Sequence, residues 1–218
     1  MSLFPTRFLI ILFLLGAAAL SAACTPVGIV MGAGAVAGTT AMQERGFEQA
    51  VEDKGIELSI RKRVIDADFQ TFQRIGVSVV EGRVLLTGLV PKPEDRVKVI
   101  ESTWKTEGVV EVINEVLVGD DVGFFDTGFD LKIEKALELA LTLDNQIKAV
   151  NYIPDSVAGT LFLIGIAQSQ AELDRVLAHA REVERVRRVV SYIQLKDSPE
   201  RSETLRRLSE LKARKAEG

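Results

Sequence analysis

Apolar positions along this chain fall into three patterns, and each predicts a different kind of element. The first is a continuous run from Phe8 to Leu20, preceded by one basic residue, Arg7, and passing into the small residues Ala22-Ala23-Cys24. That order is the order of a signal peptide, and the run is shorter than the ~20 apolar residues a membrane-crossing helix needs. The second pattern is a helical stripe. Ile56, Ile60, Val64 and Ala67 share one helix face, and the same spacing recurs at Phe129, Ile133, Leu137 and Ala140. The third is a set of short β-rich runs: Val77 to Val80 and Arg83 to Thr87 after the first stripe, Ala149 to Ile153 and Thr160 to Ile164 after the second. Gly82 and Gly159 lie between the paired runs, where positive φ is cheap, so each pair reads as a hairpin.

A second helical spacing follows each hairpin, over Pro93 to Thr106 and Ser169 to Val183, and then alternating runs from Val109 to Val118 and Val186 to Leu195. Leu58 to Val118 therefore repeats as Leu131 to Leu195, and the unit is α-β-β-α-β. The expected fold is α+β: two tandem small αββαβ domains in which two helices cover one sheet face. The expected organisation is a signal peptide over 1–23, a Gly/Ala-rich tether over 24–46, a first domain over 47–119, a linker over 120–128 and a second domain over 129–197. A charged amphipathic helix over 198–218 completes it. Its leucines Leu205, Leu208 and Leu211 stand among Arg206, Arg207, Lys212 and Arg214 behind the helix start Ser198-Pro199, a narrow face suited to packing on its own domain.

Cys24 is the only cysteine in 218 residues, which excludes an intramolecular disulfide and a thiolate metal cluster. Leu20-Ser21-Ala22-Ala23-Cys24 resembles a lipobox, although Ser21 holds the place usually taken by leucine. A lipid-modified Cys24 is the expected mature N-terminus; an ordinary secretory signal cut near Ala23, or an uncleaved anchor extended by Val27 to Ala37, are the alternatives. Acyl chains contribute ~0.8 kcal/mol per buried CH₂, so attachment through two or three of them is effectively permanent. Thr25 after the cysteine, in place of aspartate, favours the outer membrane. The segment Gly32 to Gly38 is rich in glycine, yet no second buried strand with a terminal acid follows it, so it reads as tether and not as a dinucleotide loop.

Gly82, Val84, Leu85, Gly88 and the run Gly108-Val109-x-x-Val112-x-Asn114 resemble the BON domain, a bacterial periplasmic module. The second copy keeps Gly159, Leu161, Leu163, Gly165, Val186 and Val189, and departs where Arg185 and Ser191 replace the matches of Gly108 and Asn114. Behind a lipobox, the pair is similar to the dual BON-domain outer-membrane lipoproteins, the DolP/OsmY-like family. The resemblance implies a non-enzymatic envelope lipoprotein on the periplasmic face of the outer membrane, binding anionic phospholipid, supporting envelope integrity and associating with outer-membrane assembly machinery. It points to the region Phe124 to Leu143 for lipid contact, and there to Phe124, Phe125, Leu131, Lys132 and Lys135. At about 100° per residue Leu131 lies opposite the Ile133, Leu137 and Leu141 stripe, beside Lys135. Leu58 has the same offset from Ile60, so both leucines also fit a contact between the domains, and Phe124 and Phe125 also fit packing of one domain on the other. Gly128 stands where the family can have an aromatic, which leaves Phe125 as the substitute. The rival reading is a periplasmic adaptor for protein or cell-wall partners.

Candidate chemistry is sparse. The one histidine, His179, stands mid-helix without a second histidine or a thiol to complete a metal site, and Asp66 and Asp68 read as solvated charges or caps at a helix end. No triad, phosphate loop or zinc motif occurs, and no cofactor is expected. A net charge of −4 argues against nonspecific nucleic-acid binding. Arg61-Lys62-Arg63 and the group Arg181, Arg185, Arg187, Arg188 are local basic exceptions, read as solvated faces or as contacts for anionic head groups.

Overall fold

The computed structural model describes residues 44–119 and 127–217; the expected signal peptide, Cys24, most of the tether, Phe124 and Phe125 lie outside them. Helix α1 (Gly46–Ala67) buries Ala50, Ile56, Ile60 and Val64 at helical spacing, and a short turn of helix, α2 (Phe69–Phe72), leads into the sheet. Strands β1 (Ile75–Val80) and β2 (Arg83–Val90) form an antiparallel hairpin closed by Glu81 and Gly82. Helix α3 (Pro93–Trp104), with proline in its first turn where no N–H partner is needed, carries the chain over to β3 (Glu111–Asn114) and the short β4 (Leu117–Val118), both parallel to β2. The second copy repeats this with α4 (Thr127–Leu143), β5 (Tyr152–Val157), β6 (Thr160–Ala167), α5 (Gln170–Glu182) and β7 (Arg188–Leu195), and α6 (Pro199–Glu217) ends the chain. The α+β class and the αββαβ unit follow the sequence pattern.

Two details correct it. β1 and β5 begin at Ile75 and Tyr152, β2 and β6 at Arg83 and Thr160, so equivalent positions lie 77 residues apart. Ile56, Ile60 and Val64 therefore correspond to Ile133, Leu137 and Leu141, one helical turn beyond the match with Phe129, and Leu58 and Leu131 are not counterparts. A stripe with helical spacing looks the same after a one-turn shift, which is why periodicity alone misplaces it. Likewise Ala149–Asn151 is a 3₁₀ turn, and the strand starts at Tyr152 and runs through Pro154. Proline is tolerated there because β5 is an edge strand of the order β5-β6-β7.

A buried aspartate from the first helix holds each hairpin. Glu81 and Gly82 have φ of 54° and 71°, Ala158 and Gly159 have 52° and 72°, so both two-residue turns are left-handed throughout, matching the strand twist. Their amides point into the domain. Asp53, 1% exposed, accepts from the N–H of Glu81 at 2.8 Å and of Gly82 at 3.0 Å, and Asp130 accepts from those of Ala158 and Gly159 at 3.0 and 3.1 Å. Arg45 and Gln49 complete the Asp53 site, and the Ser156 hydroxyl donates to Asp130 at 2.6 Å. Charge-assisted bonds to otherwise orphaned amides fix where each helix lies on its sheet.

The sheets pack back to back. Ile56, Ile60, Val77, Val84 and Leu86 form the core between the first sheet and its helices, while Ile133, Leu137, Leu161, Leu163 and Val176 do so in the second copy. The opposite faces meet in a third core of Val80, Leu85, Ile113, Val157, Phe162, Ile164 and Ile166. The layers thus run helices, sheet, sheet, helices, and the central strands β2 and β6 are covered on both sides, which explains their near-continuous apolar sequence. Polar bonds cross the same seam. The Thr87 hydroxyl donates to Asp155 at 2.6 Å, Arg83 donates to the Tyr192 carbonyl at 3.1 Å, and the Tyr192 hydroxyl donates to Glu115. Gly76 has no side chain because a Cβ there would stand 2.2 Å from the Thr87 hydroxyl and 2.4 Å from the Asp155 carboxylate.

Helix α6 stays beside β7 of its own domain, where the buried Thr204 accepts from the Gln194 amide at 3.3 Å and Arg201 donates to the Lys196 carbonyl at 2.9 Å, and it also reaches the first copy. Buried Arg201 pairs with buried Glu81 at 2.8 Å, and Leu208 packs where Gly82 leaves room. Lys212 reaches Glu52 and Lys215 reaches Glu107. Of the three leucines, Leu208 is buried and Leu205 exposed.

Asp130→Ala leaves the two hairpin amides without partners and is expected to cost about 2–4 kcal/mol, read as a lowered midpoint in urea unfolding; a loss below about 1 kcal/mol contradicts the latch. Burial pushes the Asp155 carboxyl above its ordinary range, against the opposing effect of the Thr87 bond. A carboxyl raised on folding contributes stability below its unfolded pKa of about 4 and loses it as pH rises through the folded value. Asp155→Asn is therefore expected to raise the melting temperature at pH 7, with a gain that closes as pH falls below about 4; a gain independent of pH contradicts this.

Candidate functional site

The rotation of α4 is set by what it buries. Ile133, Leu137 and Leu141 enter the second core, Asp130 holds the hairpin, and Glu134 accepts from the Ser156 N–H at 2.9 Å. Burial and the neighbouring Asp155 and Asp130 raise the Glu134 carboxyl, burial foremost, against the Ser156 bond. With these residues inward, the outer face is determined. Leu131, Leu139 and Leu143 stand 53%, 60% and 75% exposed. Lys132 and Lys135 project between them, both exposed. At about 100° per residue the five side chains occupy an arc of about 120°, and Leu131 to Leu143 spans about 18 Å.

The charges on this face are partly engaged. Lys135 donates to Glu138 at 2.7 Å, a bond that raises its pKa and keeps it charged. Lys132 stands 5.1 Å from the centre of the Phe129 ring, and the Arg185 guanidinium covers the same ring at 3.8 Å. Phe129 is accordingly a half-buried ring close to two cations and not a member of the apolar core. Arg185 keeps the left-handed conformation of its counterpart Gly108, with φ of 70° against 87°. A non-glycine residue there is strained, and the stacked cation offsets that cost.

Of the expected site residues, Leu131, Lys132 and Lys135 lie together on this face, and Phe124 and Phe125 lie outside the described residues. The sequence pattern missed Leu139 and Leu143. Their signal was present, four residues apart and on the arc begun by Leu131, but an apolar residue in an already apolar helix is hard to assign to a face before the register is known. Arg185 is legible in the sequence as a departure from glycine, but its ring partner is not. Leu58 is 57% exposed on α1, which belongs to the other helical layer.

The remaining candidates are structural. His179 bonds Asp144 at 2.9 Å, tying α5 to the end of α4, and that bond with the Gln146 N–H holds the Asp144 carboxyl low. Asp66 pairs with Lys62, and Asp68 is an exposed residue following α1. Among the described residues, no group of three or more His, Cys, Asp and Glu is placed to hold a metal ion, and no helix is long and apolar enough to cross a membrane.

Comparison with known proteins places the fold. The BON domain model matches residues 52–120 and again 130–197. The chain is 38% identical over 149 residues to an uncharacterized protein of the gshII 5′ region of Anaplasma centrale, covering 68% of this chain and 97% of that one. It is 32% identical over 173 residues to the outer membrane lipoprotein DolP of Haemophilus influenzae, covering 78% and 88%, and 28% identical over 159 residues to a 21 kDa hemolysin of Actinobacillus pleuropneumoniae, covering 72% and 82%.

Proposed function

Because this chain belongs to the BON-domain family, among its two-domain DolP-like outer-membrane lipoproteins, we propose that it is a non-enzymatic lipoprotein held by lipid on Cys24 at the periplasmic face of the outer membrane, where α4 binds anionic phospholipid. The observation that carries the reading is the outer face of α4. Three exposed leucines interleaved with two lysines, beside the cation of Arg185, suit shallow insertion below a negatively charged head-group layer. Contiguous exposed apolar residues on one helix face mark interaction surfaces; α1 also exposes Phe47, Val51, Leu58 and Ile65, in the opposite helical layer.

Two signals divide the work. The acyl chains supply permanent attachment, and the α4 face reads lipid composition, each basic side chain near an anionic surface contributing about 1 kcal/mol. Contacts that weak matter only because the anchor keeps the domain at the membrane, and they are strongly salt-dependent. Association with outer-membrane assembly machinery, and support of envelope integrity, belong to the same proposal.

Flotation of the chain from Thr25 onward with phosphatidylglycerol vesicles tests it. Salt-sensitive binding is expected, weakened at least about tenfold by Leu131→Glu with Leu139→Glu, while the circular dichroism spectrum and the unfolding midpoint stay unchanged. Equal binding to phosphatidylcholine vesicles, or indifference to both substitutions, contradicts the proposal.

A further inference from the structure

The two copies contain the same groove, and it is wider in the first. In the second copy it lies between α4 and the loop before β7, has a volume of about 270 Å³, and is lined by residues that include Phe129, Ile133, Ala136 and Arg185. Their counterparts 77 residues earlier, Glu52, Ile56, Ser59 and Gly108, line the equivalent groove of the first copy, where the volume is about 750 Å³. Two features make the difference. The ring of Phe129 and the guanidinium of Arg185, stacked at 3.8 Å, line and narrow the second groove, whereas Leu208, Leu211, Lys212 and Lys215 of α6 extend the walls of the first. In the first copy Glu52 is drawn away to Lys212 on α6, and Gly108 contributes no side chain.

What the first groove offers can be read from its walls. Ile56, Val109, Leu208 and Leu211 give it apolar sides, and Trp104 stands 53% exposed at its edge. Both carboxylates of the rim are already engaged by α6, Glu52 with Lys212 and Glu107 with Lys215. Arg63 is exposed, and Lys105 meets Glu101 only at 4.0 Å, so the uncommitted charge is positive. A volume of this size lies within the range of ligand clefts, and α6 has been brought from the far end of the chain to form one wall.

We propose that the first-domain groove between α1, the α3–β3 loop and α6 is a docking site for a peptide segment that inserts an aromatic side chain flanked by acidic residues. The second copy shows the kind of group this groove accommodates: an aromatic ring in its wall, stacked under a cation. The first copy keeps the apolar seat and replaces the internal ring and cation with open space, an exposed indole and basic rim residues. Ring stacking on Trp104 and acidic contacts with Arg63 and Lys105 then select the segment. This site lies in the other domain from the α4 face, so its test is independent of lipid binding.

Trp104 is the only tryptophan of the chain, so emission excited beyond the absorption of Tyr152 and Tyr192 reports on the groove. The full chain, held in phosphatidylcholine vesicles, is titrated with the peptide acetyl-Asp-Phe-Phe-Asp-amide. A saturable change in Trp104 emission is expected, absent with the Ala-Ala version of the peptide. Arg63→Glu, at an exposed position, is expected to weaken binding about tenfold. Glu52→Phe with Gly108→Arg, which grafts the ring and cation of the second copy onto the first, is expected to abolish it; if that double variant fails to fold by circular dichroism, Arg63→Glu alone decides. No saturable change at millimolar peptide, an equal response to the Ala-Ala peptide, or wild-type affinity in Arg63→Glu overturns the proposal. So does emission that responds to phosphatidylglycerol vesicles and not to the peptide.

Discussion

Back-to-back packing of the two sheets is the constraint on which the remaining features depend. Leu85, Val80 and Ile113 meet Val157, Phe162 and Ile164 across the seam, and each sheet thereby loses the face its own helices leave bare. A single αββαβ unit has one covered and one open sheet face, and about sixty residues bury too little surface to stand well alone. Pairing the open faces solves both problems at once. It also determines orientation: α1 and α3 are pushed to one outside, α4 and α5 to the other, and whatever their outer faces carry is offered to the surroundings. The glycine at position 76 and the Thr87–Asp155 bond show how closely the seam is fitted.

Within each copy the aspartate latch does the corresponding local work. Asp53 and Asp130 each satisfy two amides of a left-handed turn, and the helix that carries the aspartate is thereby set against the hairpin. The copies keep this device and diverge around it. In the first, Glu81 of the turn pairs with Arg201 of α6, and the chain end is drawn back over the groove. In the second, Ala158 takes the place of Glu81, no such tie is made, and Phe129 under Arg185 narrows the groove. Both copies expose apolar residues on the outer face of their first helix, Phe47, Val51, Leu58 and Ile65 on α1 and Leu131, Leu139 and Leu143 on α4, and the first copy adds the wider groove.

Much of the fold was legible in the sequence because strands and helices differ in period. The hairpin glycines, the proline that opens α3 and the two stripes were sufficient for the αββαβ unit and its repetition. What periodicity does not carry is register. Ile56 was matched to Phe129 because a stripe shifted by four residues is still a stripe, and the shift disguised Asp53 and Asp130 as unrelated charges. The expected strand ends at Ile153, before Pro154, because the edge position that admits proline is a property of the sheet, not of the segment. The seam and the return of α6 rest on contacts across most of the chain, which no local pattern reports. On α4, Leu131 was legible as outward, and Leu139 and Leu143 became so only once the buried side was known.

The proposed lipid contact implies an orientation, with α4 toward the bilayer and α1, in the opposite helical layer, away from it. The sole cysteine is Cys24, so the chain from Thr25 onward has none and accepts one probe at a chosen place. An environment-sensitive fluorophore on Leu139→Cys is expected to shift to shorter wavelength and brighten with phosphatidylglycerol vesicles, whereas the same label on Leu58→Cys stays as it is in water. A response from Leu58→Cys equal to or greater than that from Leu139→Cys would contradict the account.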